Sequence, residues 1–103
     1  MLGPSTIPFD ANFPVPQELS IRRSWPHLWI LQNALKTGVD VIEIHNAHGY
    51  LLFSFPTPQS NKRTDEFGGS FENNIRLTLE VVDTIRDIIP SDMPLFLRYA
   101  IYC

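Results

Sequence analysis

The stretch Gly38-Val39-Asp40-Val41-Ile42-Glu43-Ile44-His45-Asn46-Ala47-His48-Gly49-Tyr50 decides the architecture. From Val39 to His45 it is short and rich in β-branched residues, with Gly38 and Gly49 on either side, which predicts a strand. Downstream, Phe71, Ile75, Leu79, Val82, Ile85 and Ile89 recur at steps of three or four, the spacing of one helical face. Ser70 is placed to cap that helix, Glu72 falls in its electropositive first turn, and Pro90 ends it. Pro94-Leu95-Phe96-Leu97-Arg98-Tyr99 then reads as a second strand, almost continuously apolar, as expected of a strand covered on both faces. Strand, helix, strand in this order predicts parallel pairing and an α/β protein, with a β-loop-α-β unit over residues 39–99.

Upstream the pattern is weaker. Residues 1–20 contain Pro4, Pro8, Pro14 and Pro16, each removing a backbone donor, and are expected to form an irregular arm. Leu28, Leu31 and Leu35 share one helical face, so a short helix is expected from about Pro26 to Thr37, stopped by Gly38.

The 103 residues allow one modest domain. Eight Lys and Arg against eleven Asp and Glu give a formal charge of −3, and the pI is near 5.4. That balance excludes nucleic acid and anionic membrane surfaces as partners, since either demands a basic stripe. Cys103 is the single cysteine, which excludes a disulfide scaffold. Met1 to Phe9 have no Lys or Arg and no long apolar run, so no secretory signal is expected, and no segment has the length of a membrane span. A cytoplasmic, reducing setting is the expectation.

Chemistry concentrates after the first strand. Residues 46–69 make a connection far longer than the usual two to six or so residues, leaving the carboxyl end of a parallel strand, where α/β folds build their sites. His45 and His48 stand at its start. Two histidines there serve as hydrogen-bond donors to one substrate oxygen, or are simply satisfied by loop backbone. As a zinc site the pair lacks a third ligand, so no metal is expected. Tyr50, a proton donor at neutral pH or a packing residue, follows directly. The segment Ser60 to Ser70 reads as a solvated loop. Arg98, inside an apolar strand, requires a counter-charge: Glu43, on the same strand face as His45, or a bound electron-rich ligand.

Gly38 to Leu52, together with Ser60-Asn61-Lys62-Arg63-Thr64-Asp65-Glu66-Phe67-Gly68-Gly69-Ser70-Phe71-Glu72-Asn73, closely resembles the old yellow enzyme family of NAD(P)H:flavin oxidoreductases. Gly3 to Phe9 is similar to the segment that precedes this region in the family. The resemblance implies an FMN-binding (β/α)8 barrel that reduces electron-poor alkenes or quinone-like acceptors with hydride from NAD(P)H. It implies that His45 and His48 bind the activating oxygen of a small-molecule substrate, that Tyr50 supplies the proton, and that Arg98 lies beside the flavin pyrimidine. Residues 21–37, Phe53, Pro56, Phe67, Asn74 and the end from Tyr99 to Cys103 depart from the family's usual pattern.

A complete barrel takes about 250 residues, so the expectation is a partial domain over 1–103, roughly two of the eight βα units. Exposed strand edges in such a fragment would favour self-association. The alternative reading is a non-catalytic truncated product or interaction module with no cofactor.

Overall fold

The computed structural model describes residues 2–6, 17–18 and 28–101. In chain order the elements are β1 (Leu2–Gly3), β2 (Gln17–Glu18), α1 (Leu28–Lys36), β3 (Ile42–Asn46), α2 (Leu51–Ser54), α3 (Phe71–Ile88) and β4 (Leu95–Tyr99). The parallel βαβ unit expected from the sequence is formed by β3, α3 and β4, with Ile42 opposite Leu95 and Asn46 opposite Tyr99. Strand β3 begins at Ile42, later than Val39, because its first ladder bond runs from the Ile42 N–H to the Pro94 carbonyl at 3.3 Å. Val39 and Val41 lie before that partner and are exposed.

Helix α3 starts where the Ser70 hydroxyl accepts a hydrogen bond from the Asn73 N–H at 3.2 Å. It ends as Ile89 turns extended ahead of Pro90. The buried residues are Leu77 and Thr78, not the whole 71/75/79 stripe; Phe71 and Leu79 lie in solvent. The helix therefore has two apolar faces, and among the described residues only one is covered.

The long connection is not a bare loop. Leu51-Leu52-Phe53-Ser54 coil into α2, and Leu51 and Leu52 pack on a core of Phe55, Phe67 and Leu77. Nor is Ser60 to Ser70 merely solvated. Asn61 is buried; its amide donates to the Phe55 and Phe67 carbonyls at 2.8 Å each, while its Oδ1 accepts from the Arg63 N–H at 3.0 Å. These bonds satisfy backbone groups that a buried loop would otherwise leave unpaired. Gly68 is buried beside Arg63, where a Cβ would meet the Arg63 carbonyl oxygen at 2.5 Å, so only glycine fits.

Within the amino-terminal stretch expected to be irregular, β1 and β2 pair in parallel, Leu2 with Gln17 and Gly3 with Glu18. The same end docks on the loop: the Lys62 N–H donates to Ser5 Oγ at 2.9 Å and Arg63 donates to the Pro4 carbonyl at 3.1 Å. Helix α1 ends at Lys36 with Gly38 at φ +85°, a left-handed stop; the start expected at Pro26 lies outside the described residues.

Candidate functional site

Alternation along β3 separates two faces. Ile44 and Asn46 are buried, and the Asn46 amide reaches Thr78 of α3 at 3.5 Å. Glu43 and His45 are exposed on the opposite, helix-free face. Parallel register places Arg98 of β4 beside His45. Arg98 Nε donates to Glu43 Oε1 at 2.7 Å and its Nη2 to Oε2 at 3.4 Å. The Arg98 side chain is 56% exposed, so the expectation of a strand covered on both faces fails here. Phe96, Leu97 and Tyr99 are open as well, with Phe53 of α2 beside the Tyr99 ring at 6.2 Å between centroids.

After Asn46 the chain reverses. His48 has φ +59° and Gly49 φ +75°, and the Tyr50 N–H closes the turn on the Ala47 carbonyl at 3.3 Å. A left-handed histidine is an uncommon backbone state of the kind that accumulates at functional sites. The turn folds three rings together at the carboxyl end of β3: His45 to His48 at 5.2 Å and His45 to Tyr50 at 5.5 Å between centroids. The four residues singled out from the sequence, His45, His48, Tyr50 and Arg98, thus share the end of one two-stranded sheet, with the ion pair and the ring cluster meeting at His45.

The hydrogen bond from Arg98 holds the Glu43 carboxyl below its ordinary range against the opposing effect of desolvation, and Glu43 in turn raises the Arg98 guanidinium. Among the described residues no three His, Cys, Asp or Glu side chains assemble as a metal site requires. Two asparagines were not legible as structural residues. Asn61 ties the loop together, and Asn46, 2% exposed, has an Oδ1 with no hydrogen-bond partner among the described residues. Neither carries a spacing signal that separates it from an ordinary loop or strand-end asparagine.

A family model for the NADH:flavin oxidoreductase / NADH oxidase family matches residues 31–102, well over half of the chain. The chain belongs to that family. This old yellow enzyme family member is 58% identical over 67 residues to an NADH:flavin oxidoreductase of Gibberella zeae, covering 65% of this chain and 16% of that protein. It is 42% identical over 102 residues to an NADPH dehydrogenase of Bacillus pumilus, covering 95% of this chain and 30% of that one. It also superposes on morphinone reductase in complex with tetrahydroNAD, with a TM-score of 0.75 and 24% identity over 93% of this chain and 32% of that one. At that identity the likeness establishes the fold: the β3–α3–β4 unit is part of a (β/α)8 barrel. The family member described here spans less than a third of the length of these relatives. No helix among its described residues is long and apolar enough to cross a membrane.

Proposed function

We propose that the chain carries the substrate-oxygen side of an FMN-dependent NAD(P)H oxidoreductase that reduces electron-poor alkenes or quinone-like acceptors. The observation that supports this most is the gathering of His45, His48 and Tyr50 at the carboxyl end of β3, beside Arg98. Barrel enzymes place their chemistry at that end of the strands.

The donor set suits a flavin. Arg98 offers a planar cation on the open sheet face, and its remaining terminal amino group makes no hydrogen bond among the described residues. It is the residue that would hold the flavin pyrimidine edge, where a cation favours the reduced, anionic state. Bound FMN supplies hydride transfer between NAD(P)H and the acceptor. The chain's own residues perform the rest. His45 and His48 donate to the activating oxygen of the substrate, polarising the double bond as charge develops on that oxygen. Tyr50 gives its phenolic proton to the carbon opposite the hydride. The proposed domain is the partial unit over residues 1–103, in a cytoplasmic setting with a small-molecule substrate.

The test is a titration of the FMN-loaded protein with a para-substituted phenol, read as a long-wavelength change in the oxidised flavin spectrum. The double variant His45→Ala with His48→Ala should retain flavin and lose the phenol response. An unchanged response would remove the histidines from the oxygen site.

A second reading is favoured by the open faces of Phe96, Leu97 and Tyr99: a non-catalytic module that pairs with another chain through its sheet. Concentration-dependent association without flavin uptake would support it.

A further inference from the structure

We infer that Glu43 is the positioning residue that fixes the Arg98 guanidinium over the helix-free face of the sheet. The inference deepens the proposed function, since Arg98 is there assigned to the flavin edge, but it concerns a residue to which that reading gives no role.

A solvent-exposed arginine ordinarily samples many rotamers, and an isolated surface ion pair contributes little to stability. This pair differs in its geometry. Glu43 and Arg98 stand on adjacent parallel strands, two residues out of register and so on the same face, and the carboxylate meets the guanidinium diagonally from a rigid backbone. Two contacts, Nε to Oε1 at 2.7 Å and Nη2 to Oε2 at 3.4 Å, fix the plane of the group rather than only its charge. The Nε side of the fork is then occupied, and the other terminal nitrogen is left without a hydrogen bond among the described residues. The residue opposite Arg98 in the ladder is His45, so the held guanidinium borders the ring cluster. Arg98 touches the ligand on this account and Glu43 acts only through it.

The carboxylate has a second effect. It partly offsets the charge of Arg98, so a ligand meets oriented donors on a guanidinium that stays cationic with less net positive charge around it. Substituting Glu43 therefore changes orientation and net charge together, and two variants separate them: Glu43→Ala removes the acceptor, whereas Glu43→Gln keeps one acceptor oxygen and removes the charge. Glu43 is exposed, so neither change opens a cavity.

The first measurement needs no cofactor. In nitrogen-15 NMR of the whole chain, the Arg98 Nε–H should give a resolved, slowly exchanging signal that moves as Glu43 titrates. It should collapse into the free-arginine envelope in Glu43→Ala and survive in Glu43→Gln. A signal equally ordered in Glu43→Ala would overturn the inference. The second is FMN affinity by fluorescence quenching. Glu43→Ala and Arg98→Ala should each weaken FMN by about tenfold, and the double variant should be no weaker than Arg98→Ala alone. Losses that multiply in the double variant would show Glu43 acting independently and also overturn it. A parent chain that binds no FMN would count against the proposed function, while the Arg98 signal would still decide the role of Glu43.

Discussion

Asn61 and Gly68 hold the loop that the site leans on, and each makes a sharp expectation. Asn61→Ala strips the Phe55 and Phe67 carbonyls of their donors inside the core and should cost about 2–4 kcal/mol, read from the urea midpoint. Gly68→Ala drives a Cβ against the Arg63 backbone and should cost about 1–3 kcal/mol by the same measurement. Asp65 supplies a pH signature. The hydrogen bond from Arg63 lowers its carboxyl most, with the Phe67 N–H assisting and desolvation opposing. A depressed folded-state value means stability that is present above the unfolded value of about 3.9 and lost as pH falls through the folded one. The stability gap between the parent and Asp65→Asn should therefore be constant near neutrality and close below about pH 4. A gap unchanged down to acid would show that the pair contributes nothing. Legibility at this scale was uneven. His45, His48 and Tyr50 fall within six residues of sequence, so a single turn suffices to unite them. The contact of Arg98 with Glu43 depends on strand register, which sequence offered only as one of two counter-charges.

At the scale of elements, α3 separates what spacing can and cannot tell. Its ends were readable because Ser70 and Pro90 act locally; Ser70→Ala should cost about 1 kcal/mol and Ser70→Asp almost nothing, in thermal or urea unfolding. Its buried face was not readable, because Ile75, Leu79 and Val82 are as apolar as Leu77 and only the fold decides which row meets the core. Leu77→Ala should cost about 2–5 kcal/mol, and Leu79→Ala less than about 1, since Leu79 is 52% exposed. Equal costs would contradict the packing described. Helix α2 escaped notice for a related reason: Leu51 to Phe55 is a continuous run of mostly apolar residues, too short to show a period, and its turn forms on the core of Phe55, Phe67 and Leu77. The strands were clear in kind, but β3 begins where the Pro94 carbonyl becomes available, a boundary set by its partner.

Across the whole molecule, the described residues bury a small core around Phe55, Phe67 and Leu77 and leave Phe96, Leu97 and Tyr99 open, a surface that ordinarily lies within a larger assembly. The same openness leaves the Glu43–Arg98 pair and the His45, His48 and Tyr50 cluster accessible at one end. The family membership and the barrel fold follow from the match over residues 31–102 and the superposition, whereas the flavin assignment rests on this one site. The most direct measurement is a titration of FMN into the nitrogen-15-labelled chain, followed by amide chemical shifts. Shifts concentrated at Glu43 to Tyr50 and at Leu97 to Tyr99, and lost in Arg98→Ala, are the result expected. No shifts at saturating FMN, or shifts confined to α1 and the outer face of α3, would contradict the assignment of this sheet end to the flavin.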